Sequence, residues 1–66
     1  MKLTLNGELR EVAIAATISD LLGSLCLEGK LVLVEWNGHA VHRGEFQITQ
    51  LAEGDKVEIV RLSAGG

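Results

Sequence analysis

The sequence predicts an α+β domain in which one helix covers one face of a small mixed sheet. Three observations support this fold class: a strand pair around Asn6-Gly7, one amphipathic helix after it, and further strand-like apolar segments toward the C-terminus. A helix that connects two strands must cross over the sheet, so those strands need not pair antiparallel. One helix packed against one sheet face is an α+β layout.

The first two strands are predicted within "KLTLNGELREV". Leu3 and Leu5 alternate with polar residues, which is the period of a half-buried strand. Asn6-Gly7 permits positive φ at both central positions of a type I′ turn, so these strands are expected to form a tight hairpin.

The helix is predicted within "AATISDLLGSLCLEG". Thr17 is the expected N-cap, with Asp20 three residues later in the position of a capping box. Gly29 is the expected C′ residue that ends the helix. One apolar face follows from the i, i+3, i+4, i+7 spacing of four residues: Ile18, Leu21, Leu22 and Leu25.

Strands are also predicted in the second half of the chain. The apolar run "LVLVEW" is expected at the sheet centre, followed by a turn at Asn37-Gly38, a short return strand "HAV" and an irregular segment with one helical turn. The last strand is "KVEIVRL", in which Val57 and Ile59 share one face, while Val60 and Leu62 lie on the other.

This element order predicts a β-grasp, or ubiquitin-like, fold: a mixed sheet of four to five strands with one main helix on one face. The other face is then left without a helix, and Val60 and Leu62 are expected there. The 66 residues are expected to form a single domain.

Composition excludes several functional classes. The net charge is −3 and the six cations are scattered, which argues against nucleic acid as the main ligand. No apolar run approaches the ~18 residues of a membrane span, and the polar segment after Lys2 predicts no signal peptide. One cysteine cannot form an intramolecular disulfide. We therefore expect a protein of the reducing cytosol that binds neither nucleic acid nor membrane.

The reactive residue types do not form a recognisable catalytic pattern. Cys26 is predicted to be a small, half-buried hydrophobe rather than a nucleophile, because it lies late in the helix, away from the N-terminal dipole that lowers a thiol pKa. His39, His42 and Glu45 lack a diagnostic metal-ligand spacing, so no metal site is predicted.

Three further residues are assigned less specifically. Glu53 and Asp55 flank Gly54 and are expected to form a turn. Trp36 fits either the core or an interface, since Trp is often highly buried but rarely completely so.

The C-terminal "RLSAGG" is the strongest functional signal. Its side chains shrink over residues 62–66, and from Arg61 five residues can extend roughly 15–18 Å. We predict a flexible tail of Leu62, Ser63, Ala64, Gly65 and Gly66 that threads a narrow channel in a partner. A frayed chain end is the alternative.

Three segments together resemble the ThiS family of ubiquitin-like sulfur carriers in thiamine biosynthesis: "VEWNGHAVHRGEF", "LAEGDKVEIVRL" and the final Gly65-Gly66. The chain departs from the family at His42, where Pro is usual, and at Phe46, where Trp is common. The Gly-Gly end is shared with MoaD-like carriers of the molybdopterin pathway.

The resemblance implies a carrier and not an enzyme. A ThiF-like enzyme would use ATP and Mg to adenylate the Gly66 carboxylate, a persulfide from a sulfur-donor enzyme would convert it to a thiocarboxylate, and a ThiG-like thiazole synthase would receive the sulfur. The resemblance assigns Val60 and Leu62 to the partner interface. The chain itself has no nucleotide-binding Gly-rich loop, so no bound cofactor is expected.

Three alternatives stay open at this point. The chain could carry sulfur for another pathway, such as that of molybdopterin. It could be a ubiquitin-like modifier that joins Gly66 to a lysine. It could also be an interaction domain whose tail has no chemistry.

Overall fold

The computed structural model describes residues 1–62, which fold into one five-stranded mixed sheet and one α-helix. The strands have the spatial order β2-β1-β5-β3-β4, with β1 parallel to β5 and the other neighbours antiparallel. This arrangement confirms the predicted β-grasp fold. The elements in chain order are β1 (Lys2–Leu5), β2 (Glu8–Glu11), α1 (Ile18–Ser24), β3 (Val32–Trp36), β4 (His39–Val41), a 3₁₀ turn (Arg43–Glu45) and β5 (Lys56–Arg61).

The hairpin of β1 and β2 turns at Asn6-Gly7, as predicted. Asn6 has φ of 49° and Gly7 has φ of 83°, the left-handed conformation that a type I′ turn requires at both central positions. The Asn6 side chain also bridges to β5: its Nδ2 donates to the Ile59 carbonyl at 3.1 Å, and its Oδ1 accepts from the Ile59 N–H at 2.7 Å. The turn is therefore attached to the central strand of the sheet.

Helix α1 begins with the predicted capping box. The Thr17 hydroxyl accepts from the Asp20 N–H at 3.1 Å, and the Asp20 carboxylate accepts from the Thr17 N–H at 2.9 Å. These bonds satisfy two of the backbone donors that a helix start leaves without partners.

The predicted end of the helix at Gly29 is wrong, because α1 stops at Ser24. Cys26 is the C′ residue, with φ of 60°. The Cys26 N–H donates to the Gly23 carbonyl at 3.1 Å, and the Leu27 N–H donates to the Leu22 carbonyl at 2.8 Å. These two bonds are the Schellman pattern, which turns the chain out of the helix.

The predicted position of β3 at the sheet centre is also wrong, because β5 lies between β1 and β3. The apolar run of β3 favoured a strand buried on both faces. In the structure α1 covers one face only, so Val34 is buried while its neighbour Leu33 is exposed. The last strand in sequence therefore occupies the middle of the sheet.

The core lies between α1 and the face of the sheet that it covers. It is entirely aliphatic, as expected for a chain with few aromatic residues. Among residues 1–62, no helix has the length and apolar content needed to cross a membrane. The core residues are Leu3, Leu5, Ile18, Leu21, Leu22, Val34, Leu51, Val57 and Ile59.

Candidate functional site

The face of the sheet opposite α1, here called the open face, carries an exposed apolar ridge. Leu33 of β3 lies directly opposite Val60 of β5, and these side chains are 59% and 55% exposed. Leu31 is 57% exposed, and its carbonyl accepts from the Leu62 N–H at 2.9 Å, which continues the same register by one pair. We define the apolar ridge as Leu31, Leu33, Val60 and Leu62.

The ridge adjoins a shallow groove of about 440 Å³ on the β3–β4 side of the sheet. Leu33 and Val60 form part of its wall, as do Phe46 and Arg43 from the segment after β4. Two carboxylates from neighbouring strands, Glu35 and Glu58, also line the groove. The open face thus combines exposed apolar side chains with two acidic groups.

The structure places both predicted interface residues at the C-terminal end of β5. Val60 is exposed on the open face, and Leu62 follows the last strand residue, Arg61, in a half-buried position. Sheet-type hydrogen bonding therefore extends through Leu62, the first residue of the predicted tail. The remaining predicted tail residues lie outside the described part of the chain: Ser63, Ala64, Gly65 and Gly66.

A cluster of hydrogen bonds surrounds Asp55, which is 9% exposed. Its Oδ2 accepts from the Trp36 indole N–H and from the Ala52 N–H, both at 2.8 Å, and its Oδ1 accepts from the Asn37 side-chain amide at 3.1 Å. Burial raises the pKa of Asp55, but these three hydrogen bonds outweigh burial and leave the pKa below its ordinary value of 3.8.

This cluster decides the position of Trp36, which the sequence left open between core and interface. Trp36 lies on the same face of β3 as buried Val34, is half-buried and packs against the core. Its indole N–H donates a hydrogen bond to the Asp55 carboxylate. A buried Trp N–H usually has such an acceptor. Trp36 and Asp55 therefore fix the β3–β4 turn to the start of β5.

The cysteine and both histidines are solvent-exposed. Cys26 is exposed and outside the helix, so the prediction of a half-buried helical cysteine is wrong. His39 and His42 are exposed as well. Within the described residues, no group of three or more His, Cys, Asp or Glu side chains is arranged to hold a metal ion.

His42, where the ThiS pattern usually has Pro, keeps a backbone conformation that Pro also adopts. Its φ is −76° and its ψ is 151°. Its N–H donates to the Glu45 carboxylate at 3.2 Å, a bond that Pro cannot make. The substitution therefore preserves the path of the chain into the 3₁₀ turn.

Comparison with known proteins agrees with this geometry. The family model described as the ThiS family matches residues 3–66. The chain belongs to the ThiS family. The resemblance predicted from the sequence is thereby confirmed.

Solved and curated relatives of this ThiS-family chain support the same assignment. The crystal structure of the thiamine biosynthesis protein ThiS from Geobacter metallireducens superposes with a TM-score of 0.84 at 35% identity, and the match covers both chains completely. The sulfur carrier protein ThiS of Bacillus subtilis is 40% identical over 50 residues, which are 76% of each protein.

Two other relatives are much longer proteins. A thiazole synthase of Paramagnetospirillum magneticum is 38% identical over all 66 residues, and one of Magnetococcus marinus is 36% identical over the same length. The chain spans only a fifth of each of these proteins.

Sequence reasoning missed Leu31, Leu33 and Glu35 as surface residues. The signal was present, because Leu33 and Glu35 alternate with buried Val34 along β3. This alternation indicates surface positions only if one face of the sheet is known to be uncovered. The apolar run alone fits a strand that is buried on both faces.

Proposed function

We propose that the chain carries sulfur for thiamine biosynthesis as a thiocarboxylate on Gly66. The observation that supports this most strongly is membership of the ThiS family over residues 3–66, which includes the Gly65-Gly66 end. The relative from Bacillus subtilis, a sulfur carrier protein ThiS, supports the same role.

The proposed chemistry begins with activation of the carboxylate. An α-carboxyl has a pKa near ~3.5, so it is ionised at neutral pH and resists nucleophilic attack. A ThiF-like partner would join a Gly66 oxygen to the α-phosphorus of Mg-ATP, with release of pyrophosphate. The terminal sulfur of a persulfide would then attack the acyl carbon and displace AMP. A thiol would reduce the remaining sulfur–sulfur bond and leave the thiocarboxylate.

The chain contributes recognition and reach to this sequence rather than catalysis. The apolar ridge offers a surface for the activating enzyme, and four residues follow Leu62 in the sequence, the last of which, Gly66, bears the reacting carboxyl. Gly at positions 65 and 66 allows close approach of the backbone to a narrow active site. We therefore propose a protein co-substrate with no catalytic residue of its own.

The thiazole branch of thiamine synthesis is the proposed destination of the sulfur. Two relatives of which this chain spans a fifth are thiazole synthases. A segment like this chain thus occurs within longer proteins of that name. This observation favours a thiazole synthase over a molybdopterin enzyme as the receiving partner.

Intact-mass spectrometry tests the proposal directly. The purified chain is incubated with the adenylating enzyme, Mg-ATP and a persulfide donor. We expect a gain equal to the mass difference between sulfur and oxygen, localised to Gly66, and the same gain in a Cys26→Ser variant. A gain that maps to Cys26 and disappears in this variant would contradict the proposal.

Two variants of the terminus complete the test. Gly66→Ala should retain the melting temperature but slow activation, because displacing a reacting group by ~1 Å can cost on the order of a hundredfold in rate. A C-terminal tag should abolish pyrophosphate exchange, since the Gly66 carboxylate becomes an amide. Normal exchange by the tagged chain would exclude an adenylate at Gly66.

A further inference from the structure

We propose that the open face binds a basic side chain, Arg or Lys, of the thiazole synthase between Glu35 and Glu58. This inference rests on the proposed function, because it assigns a contact to the partner that would receive the sulfur. It concerns a pair of acidic residues that the tail chemistry does not use.

The sheet register places two like charges directly against each other. Glu35 of β3 lies opposite Glu58 of β5 in the antiparallel pairing. Side chains in such a pair have Cβ atoms roughly 4.5–5.5 Å apart, and like charges there are destabilising. Glu58 is half-buried, so water screens its charge less than that of exposed Glu35. This register therefore predicts a repulsion between the two carboxylates in the free chain.

Apolar groups adjoin the acidic pair at two places. The next pair toward the C-terminus of β5 is Leu33 with Val60, and Ala40 of β4 lies opposite Glu35 on the other side of β3. All five side chains line the same groove. A partner that covers the exposed Leu33 and Val60 therefore also excludes water from the two carboxylates.

Charge complementarity then determines what the partner must bring. Burying a carboxylate without an opposite charge is very costly. One guanidinium has five N–H donors and an ammonium has three, so either group can bond to both carboxylates at once. The occupant of this face is accordingly an apolar surface of the synthase with a cation at the position of the acidic pair.

Two cations of the chain itself lie near this pair. Arg43 lines the same groove, and Lys56 precedes Glu58 by two residues on the same face of β5. If either cation compensated the pair in the free chain, removal of one carboxylate would lower the melting temperature. If the pair is repulsive, the same change raises it. Stability therefore separates an internal role from a role in recognition.

The binding arm uses three isosteric variants with the same change in net charge. Glu35→Gln and Glu58→Gln alter the acidic pair, and Glu8→Gln is the control on the exposed edge strand β2. Binding to purified thiazole synthase from the same organism is measured by calorimetry at low and high salt. At low salt we expect the Kd of the first two variants to be roughly 10- to 100-fold higher than that of the wild-type chain. The Kd of these variants should also depend less on salt than the wild-type Kd does. The control should bind like the wild-type chain.

The stability arm uses the same three proteins without a partner. Glu35→Gln and Glu58→Gln should each raise the melting temperature by roughly 1–8 °C, as expected for relief of a cross-strand repulsion in a domain of this size. Glu8→Gln should not. Weaker binding together with higher stability is the result that supports the proposal.

Each contrary result has its own meaning. Unchanged Kd for both variants, with normal wild-type binding, would overturn the inference and leave the carrier function intact. A lower melting temperature would assign the pair to internal contacts and would also overturn it. Absence of wild-type binding would exclude the synthase as partner, and formation of the Gly66 thiocarboxylate would then show that the sulfur-carrier role survives.

Discussion

Strand β5 has one face in the core and the other in solvent, and the two faces differ in chemistry as well as burial. Val57 and Ile59 are buried beneath α1 in the aliphatic core. Glu58 and Val60, one residue away along the same strand, lie on the open face and line a shallow groove. The pleat of one strand thus separates side chains that stabilise the fold from side chains that are available to a partner.

This separation has a consequence for mutational analysis. A substitution on the covered face should change stability first and function only through folding. A substitution on the open face should change partner-dependent activity at nearly constant stability. Of the following four predictions, the first and the third test that division, and the other two test local contacts away from the open face. They are in order of decreasing expected effect.

The largest difference is expected between two leucines truncated on opposite sides of the sheet. Leu21 is 1% exposed in the core, whereas Leu33 is exposed on the open face. Leu21→Ala should lower the free energy of unfolding by about 2–5 kcal/mol, because it removes buried contacts and leaves a cavity. Leu33→Ala should stay within about 0.5 kcal/mol of wild type. Urea denaturation of both variants measures this contrast, and equal losses would contradict it.

Asp55→Asn should have the next largest effect, because an amide cannot replace the carboxylate that accepts from Trp36, Asn37 and Ala52. We expect a loss of about 1.5–3 kcal/mol at neutral pH. Since the folded-state pKa of Asp55 is lowered, its stabilisation is present above the ordinary pKa of 3.8 and is lost as pH falls through the folded-state value.

Denaturation at a series of pH values checks this prediction. The stability difference between wild type and Asp55→Asn should be constant near neutrality and shrink at pH values below 3.8. Glu28→Gln, at an exposed acidic residue, is the control and should show no comparable difference. A difference that persists unchanged in strong acid would mean that the carboxylate charge is not its source.

Val60→Asp should impair activation by the adenylating enzyme at nearly unchanged stability. Hot-spot residues cost ~2 kcal/mol or more on truncation, which corresponds to roughly 30-fold in affinity. Leu9→Asp is the matched control, since Leu9 is exposed on the edge strand β2, away from the end of β5. Pyrophosphate exchange and thermal melts measure both variants. Equal loss of exchange in the two would show that added charge alone is responsible.

Cys26→Gly should give the smallest effect, a gain in stability of about 0.5–1 kcal/mol. Cys26 has φ of 60°, a conformation that costs energy for residues with a Cβ and little for Gly. Cys26→Ala keeps the Cβ and should show no gain. Chemical denaturation of the two variants distinguishes backbone strain at this position from any effect of losing the thiol.

Features controlled by neighbouring residues could be predicted from the sequence. The Asn6-Gly7 turn and the Thr17–Asp20 capping box each depend on a few adjacent positions, and the structure confirms them. Their local chemistry selects one backbone conformation before any tertiary contact forms.

Features set by distant contacts could not be predicted. The end of α1 depends on where Leu27 returns to the Leu22 carbonyl, and this bond overrides the preference for Gly at C′. The pairing of Glu35 with Glu58 requires the register of two strands that are separated in the chain by β4 and the 3₁₀ turn. The sequence predicts a functional tail, and this stays a prediction because residues 63–66 lie outside the described structure.

The central position of β5 also constrains how the chain is made. Synthesis proceeds from the N-terminus, so β1 and β3 leave the ribosome before the strand that joins them. Until Lys56–Arg61 has emerged, both strands have unpaired edges of the kind that invite aggregation. Nascent chains that stall before β5 has emerged should therefore remain unfolded and vulnerable to proteases. Folding of the domain should follow closely on the emergence of β5 from the ribosome.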